Sequence, residues 1–330
     1  MDVNELKSIL EKFNKVEIGN YPTPLQRIKN FEEKNNLNDI YIKRDDLSEN
    51  PGGNKTRHLE YLLGDAINNN YDMFIISGPI QSNFCTQAAM FCRRLNFPCI
   101  LVHNADKPAE YIGNNLLNYL MGVEQVFVGE ISFPETEKEV FKIGNKLLAE
   151  GKRPYIFHTD HSKAIASLGY VDCVIELLEQ REKENKNIED IFVSVGNGIF
   201  AAGILYGNAL LGMPFRVQLI SVEFEKDEVY RRIKKNLELI QNLTNVNIEY
   251  SLDEILNIYD DYMGDGWGCP TKESIDVIKE LAETEAIFLE KVYTSKGFYG
   301  MKDLLKKKII RSKGACYIHS GGFPSIFSQF

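Results

Sequence analysis

The segment PGGNKTRHLEYL (51–62) places a lone lysine, Lys55, where a glycine-rich turn meets a helix-like run. Leu59, Leu62 and Leu63 follow at i, i+3 and i+4, which is one apolar helix face. The start of a helix already carries unpaired N–H groups and the positive end of the macrodipole. A second positive charge there is mildly unfavourable, so the lysine either points into solvent or serves chemistry. A solvated lysine is the commoner outcome for this residue type. A lysine destabilised as a cation is a better nucleophile, and that is the chemistry the position would offer.

Three further turns are rich in glycine or hydroxyl groups. SGPIQSNFCTQAA (77–89) follows the apolar run MFIIS and puts Gln81, Ser82 and Asn83 on a turn into a helix. VSVGNGIFAAG (193–203) runs from a strand through Gly196-Asn197-Gly198 into a helix of small residues, with Ile199 and Phe200 at its start. YIHSGGFPSIF (317–327) runs from a strand into Ser320-Gly321-Gly322. A Gly-x-Gly turn opening a helix presents free N–H groups to a phosphate. The third turn lacks the Lys-Ser/Thr of a Walker A loop and the full GxGxxG fingerprint. Any one such turn is more simply a tight strand–helix connection. Four of them with a lysine make a joint case for one site that takes a small phosphorylated ligand.

The elements that would position these turns alternate between short β-rich runs and helical patterns. IYIK (40–43), MFIIS (73–77), CILVH (99–103), QVFV (125–128), IFVSV (191–195), VQLISVE (217–223) and CYIH (316–319) read as strands. Helix-spaced leucines and alanines lie between them. This is the α/β pattern of buried parallel strands under covering helices, and in such sheets ligands bind at the carboxyl ends of the strands. EQREKENKNIED (179–190) reads as a solvated helix end and loop.

Net charge is −9 over 330 residues, which argues against a general nucleic-acid or anionic-membrane surface. The basic run KKKIIRSK (306–313) ends a helix-like segment and complements its dipole. No 18-residue apolar run predicts a membrane span, and the charged N-terminus does not read as a signal peptide. Six cysteines without a CxxC pair read as reduced, cytoplasmic thiols with no metal site.

Taken in order, YPTPLQRI (21–28), IYIKRDDL (40–47), GGNKTRHLEYLLGDA (52–66), QSN (81–83), GNNLLNYLMGVE (113–124), LGYV (168–171), WGCP (267–270), KVYTSK (291–296) and HSGGFPSIF (319–327) resemble the pyridoxal-phosphate enzymes of fold type II, the tryptophan synthase β-like group. Within it the chain is most similar to the 1-aminocyclopropane-1-carboxylate deaminase and D-cysteine desulfhydrase family. The resemblance implies two open, twisted, mostly parallel sheets flanked by helices, with pyridoxal 5'-phosphate in the cleft between two domains. Residues 1–60 and 164–330 would form the larger, cofactor-binding domain and 61–163 the smaller. It also implies that Lys55 bonds the pyridoxal aldehyde and that Asn83 meets the phenolic oxygen. Gly196, Asn197, Gly198, Ile199 and Phe200 would cradle the phosphate, and Ser320 would meet the pyridine nitrogen. Gln81, Ser82, Asn83, Trp267 and Tyr293 would face the substrate, with Lys55, Ser82 and Tyr293 as the catalytic set.

Several positions depart from the family pattern. Ile199 and Phe200 stand where a hydroxyl is usual, so the phosphate would rest on backbone N–H groups. Trp267 replaces a second tyrosine and carries no acidic hydroxyl. Phe84 follows Asn83 where polar residues are usual, and HTDHS (158–162) replaces a glycine- and serine-rich segment. His158 and His161 are therefore either substrate contacts or packing residues. Lys43-Arg44-Asp45-Asp46 reads as a structural ion-pair network. Thr294 stands where deaminases carry glutamate, which tilts the expectation to a D-cysteine desulfhydrase-like elimination giving pyruvate and ammonia. A β-replacement synthase or amino-acid racemase is the alternative, and a non-catalytic ligand-binding relative the third. The substrate is expected to be a small amino acid and the assembly a homodimer.

Overall fold

The computed structural model describes residues 1–330. Ten strands form two sheets. They are β1 (Leu25–Arg27), β2 (Ile40–Lys43), β3 (Met73–Ser77), β4 (Cys99–His103), β5 (Glu124–Phe127), β6 (Pro154–Ile156), β7 (Asp190–Val195), β8 (Arg216–Ser221), β9 (Asn257–Tyr259) and β10 (Ala315–Ile318). The larger sheet has the order β1-β2-β10-β7-β8-β9 and the smaller β5-β4-β3-β6. Every pairing is parallel except β1 with β2.

The strands read as apolar runs because both faces of each sheet are covered. Alternation then decides which core each side chain joins. In β7, Ile191, Val193 and Val195 enter the core shared with the helices Asp160–Lys183 and Ile199–Leu210, while Phe192 turns to the opposite core with Phe298, Met301 and Leu304. In β10, Cys316 and Ile318 face the first core and Ala315 and Tyr317 the second. In β3, Phe74 and Ile76 join the large core, and Met73 and Ile75 pack with Ile100, Val102 and Val140.

The seven strands expected from sequence are present with small shifts at their ends. Three more, β1, β6 and β9, are each three residues long at a sheet edge. A run that short carries no periodicity to read. The polar run 179–190 divides as expected: the helix ends at Lys183, a loop follows, and β7 starts at Asp190. Both ends of the 61–163 segment fall inside helices, Asn54–Asn68 and Asp160–Lys183.

Two glycine-rich turns are brought together across the larger sheet. Gly53 and Gly321 form an isolated antiparallel bridge, and the Asn54 N–H donates to Ser320 O at 3.0 Å. A Cβ on Gly53 would lie 2.7 Å from Ser320 O, and one on Gly321 2.6 Å from Gly52 O. Only glycine lets the lysine turn dock here.

Candidate active site

The lysine turn is held rigidly from behind. Asp45 is fully buried and bonds Arg57, two residues after Lys55, through both oxygens at 2.8 and 2.9 Å. Tyr170 donates to the same carboxylate at 2.7 Å, and Glu176 joins Arg57 at 3.1 Å and also pairs with Lys43. Burial alone would raise Asp45, but the Arg57 guanidinium beside it holds the carboxyl down at about 2. Arg44 pairs with Asp46 at 2.8 Å. The KRDD motif is therefore the structural network expected of it, and it fixes the first turn of the helix Asn54–Asn68.

That helix start opens on a cavity of about 660 Å³ at the carboxyl ends of β3, β7, β8 and β10. Its lining includes every site residue named from sequence: Lys55, Gln81, Ser82, Asn83, Gly196, Asn197, Gly198, Ile199, Phe200, Trp267, Tyr293 and Ser320. His158 lines it as well. His161 does not; its Nε2 bonds Asp65 at 2.8 Å, half-exposed on the surface.

Lys55 has no hydrogen-bond or ion-pair partner, and its Nζ sits 5.3 Å from the centroid of the Phe84 ring. Desolvation lowers its amine from 10.5 to about 8. A ring face attracts an ammonium, so loss of water outweighs that attraction here. His58, one turn along, donates from Nδ1 to Ala166 O at 2.6 Å; burial and the neighbouring Lys55 push it down to about 3, so it stays neutral.

Ser82 is the N-cap of the helix Asn83–Arg94, its Oγ accepting from the Cys85 N–H at 3.2 Å. The Gln81 amide is tied to the next segment: Nε2 donates to Ile112 O at 3.1 Å and Oε1 accepts from the Asn114 N–H at 2.9 Å. Asn114 also donates to Asn83 Oδ1 at 2.7 Å. With its oxygen so occupied, Asn83 is left with Nδ2 as a free donor toward the cavity. Gly198 has φ +85° and caps the helix Ile199–Leu210, while Asn197 Oδ1 accepts from the Ile199 N–H at 3.2 Å. Asn236 supports the turn by donating to Asn197 O at 3.2 Å.

Tyr293 faces the turn from the other side. A Cβ on Gly196 would lie 3.2 Å from its ring and 2.9 Å from Glu223 Oε2. Glu290, buried, receives the N–H groups of Val292, Tyr293 and Thr294 at 2.6–2.7 Å and so fixes the tyrosine backbone. Thr294 turns inward, its Oγ1 accepting from the Glu290 N–H at 2.8 Å. The Trp267 indole donates to the Tyr293 oxygen at 2.7 Å. Trp267 thus lacks an acidic hydroxyl but holds the phenol in place. Burial, with Glu223 nearby, raises the phenol well above its usual value, so it stays protonated.

Ser77, Phe133, Glu137, Lys163, Glu223 and Arg232 also line the cavity, and sequence reasoning does not single them out. Their segments read as ordinary strand ends and solvated helix faces. Only the departure HTDHS (158–162) marks this wall.

An unpartnered lysine at a helix start, a Gly-x-Gly turn opening a second helix, and a free amide donor between them fit a cofactor with an aldehyde, a phosphate and a phenolic oxygen. Comparison with known proteins agrees. Residues 16–321 match the family described as pyridoxal-phosphate dependent enzyme. A Pyrococcus abyssi protein named "Putative 1-aminocyclopropane-1-carboxylate deaminase" is 32% identical over 98% of this chain and 96% of its own. A Thermotoga maritima protein of the same name is 31% identical over 96% and 98%. The crystal structure of an ACC deaminase homologue superposes with a TM-score of 0.89 at 32% identity, covering 98% of this chain and 96% of that one. Threonine deaminase isoform 2 from Solanum lycopersicum, at 13% identity and a TM-score of 0.69 over 97% and 89% of the two chains, shares the fold. The chain belongs to the pyridoxal-phosphate-dependent enzymes of fold type II. Within them it falls in the group that resembles 1-aminocyclopropane-1-carboxylate deaminase.

Proposed function

We propose that the protein is a lyase that removes the α-proton and a β-substituent from a small amino acid, releasing pyruvate and ammonia, in the manner of a D-cysteine desulfhydrase. The observation that carries this reading is one cavity in which an unpartnered, desolvated Lys55 and the protonated phenol of Tyr293 line the same space. Pyridoxal phosphate, when bound, supplies an electron sink for the pair left at Cα. Lys55 would hold its aldehyde, the backbone of Gly196–Phe200 its phosphate, Asn83 Nδ2 its phenolic oxygen and Ser320 its ring nitrogen. Ser320 lines the cavity, and a hydroxyl there leaves that nitrogen largely neutral.

Substrate would enter over the turn 81–83, whose helix N-terminus suits a carboxylate. Ser82 keeps its O–H free to donate. Lys55, released when substrate binds, is lowered far enough for a fraction of it to be the free amine near neutral pH, and that form takes the Cα proton. Tyr293, held by Trp267, passes or holds a proton beside Cα. Thr294 points away from the cavity, which leaves no carboxylate beside Tyr293 from that position and favours elimination over ring opening.

The larger sheet with its helices (1–60 and 164–330) and the smaller (61–163) would be the two domains around this cleft. A homodimer is supported by the exposed apolar side chains Ile112, Leu116, Leu120, Phe323 and Phe327. The helices carrying most of them touch, since a Cβ on Gly113 would lie 3.1 Å from Pro324 O. Six thiols without a disulfide suit a reducing cytoplasm. No helix is long and apolar enough to cross a membrane. The test is to supply both enantiomers of small β-substituted amino acids and measure ammonia and 2-oxo acid. A new amino acid or an inverted one in their place would give the synthase or racemase reading.

A further inference from the structure

Ser77, His158 and Glu137 lie on three separate elements, the carboxyl end of β3, the segment after β6 and the helix Phe133–Ala149. Ser77 Oγ is 2.8 Å from His158 Nε2, and His158 Nδ1 is 3.3 Å from Glu137 Oε1. The carboxylate can only accept, which assigns the proton to Nδ1 and leaves Nε2 to accept from the Ser77 hydroxyl. This is the order of groups that moves a proton between a hydroxyl and an imidazole. All three line the cavity.

Their place relative to Lys55 is defined by packing. The Phe84 ring touches both the Lys55 amine, at 5.3 Å, and the Phe157 ring, at 4.5 Å; Phe157 in turn meets His158 at 5.5 Å. Two rings, Phe84 and Phe157, thus lie between Lys55 and His158 along this chain of contacts. Yet Ser77 adjoins Gly78, where a Cβ would lie 2.8 Å from Ser82 Oγ, so they belong to the substrate half of the cavity. One turn before Glu137, Phe133 meets Trp267, which donates to Tyr293, edge to face at 6.2 Å.

We infer that Ser77, His158 and Glu137 form a proton relay that protonates the departing β-substituent, and that the substrate is a 3-substituted alanine whose leaving atom is oxygen or nitrogen. The inference rests on the elimination reading above and puts oxygen or nitrogen in place of the sulfur that leaves in a D-cysteine desulfhydrase. In the step, the electron pair left at Cα forms the Cα=Cβ bond, and the Cβ–X bond breaks with its pair going to X. His158 has first taken a proton from solvent at Nε2 and so turned that hydrogen bond round to donate. X takes the proton of Ser77 Oγ–H as His158 passes its own to Ser77 Oγ and is left neutral with Nδ1–H toward Glu137. A thiolate, the conjugate base of an acid near 8.5, departs without such help; a hydroxide or amide ion does not. Ser77 touches the leaving atom, and His158 and Glu137 act through it. The other charged groups lining the cavity are Lys55, Lys163, Glu223, Arg232 and Lys235, and Lys163 and Arg232 act with His158 to hold Glu137 ionised.

The test compares leaving groups. His158→Gln and Ser77→Ala should lower kcat/KM for serine and 2,3-diaminopropionate by about 10²-fold or more, and for 3-chloroalanine by less than about threefold, since chloride needs no proton. The wild-type pH profile on serine should carry a limb that His158→Gln lacks. Independently of turnover, NMR titration of the cofactor-free protein should show the His158 midpoint falling in Glu137→Gln. Equal losses on both leaving groups, or a His158 midpoint unmoved by Glu137→Gln, would overturn the relay. Failure of the elimination reading looks different: the wild-type enzyme would release no ammonia from 3-chloroalanine either, and the relay falls with it.

Discussion

Replacing Phe84 by glutamate tests what makes Lys55 reactive. The ring stands 5.3 Å from Nζ, and desolvation alone lowers the amine to about 8. A carboxylate at that separation attracts the ammonium by about 3 kcal/mol at an effective dielectric of about 20. That converts to a rise of roughly 2 in pKa, from about 8 to about 10. Near pH 7.5 the free-amine fraction then falls from about a quarter to a few parts in a thousand, on the order of 10²-fold. The assay is reductive methylation of the cofactor-free protein across a pH series, with the Lys55 peptide quantified by mass spectrometry. Phe84→Gln is the control, because it brings no charge and should keep its midpoint within about one unit of the wild type. Equal midpoints for Phe84→Glu and Phe84→Gln would show that the medium around Phe84 does not set the amine, and the nucleophile argument would lose its physical basis.

Further outcomes follow from the same geometry. Tyr293→Phe keeps the ring and removes the hydroxyl that Trp267 bonds, so kcat should fall by about 10²–10⁴-fold with the unfolding midpoint little changed; near-wild-type turnover would make Tyr293 a pocket wall. Ser82→Ala removes a helix N-cap as well as a carboxylate contact, so a raised KM should come with a loss of about 1 kcal/mol in denaturant titration; stability loss with KM unchanged would leave Ser82 a cap alone. Asp45 is held at about 2 against its ordinary 3.8, so its contribution is present above about pH 4 and disappears as pH falls toward about 2, on the order of 2 kcal/mol. Unfolding free energy measured over that window should drop more steeply in the wild type than in Asp45→Asn, and parallel slopes would refute the linkage.

The parts of the site carried by local motifs are legible in the sequence. A glycine pair before a lysine, a Gly-x-Gly before a small-residue helix and a QSN turn after a strand each announce a backbone conformation, and the fold gathers them at strand ends. Phe84 is visible as a departure, but its effect on Lys55 depends on a cross-cavity distance. Trp267 reads as a loss because a residue type reveals missing acidity and not the donor direction of its indole. Glu137, Glu223 and Arg232 sit on polar helix faces and a strand end, where nothing in sequence separates a cavity-facing charge from a solvated one. Ser77 and His158 are 81 residues apart and become partners only when β3 pairs with β6. The edge strands β1, β6 and β9 are hidden for want of length.

The proposed function turns on Lys55 being the residue that binds the cofactor and begins the reaction. It is tested most directly by borohydride reduction of the cofactor-loaded protein, followed by proteolysis and mass spectrometry, on the wild type and on Lys55→Ala in parallel. The pyridoxyl mass is expected on the peptide containing Lys55 in the wild type, with no covalent cofactor in a folded Lys55→Ala. A pyridoxyl group on any other lysine, or one retained by Lys55→Ala, would contradict it.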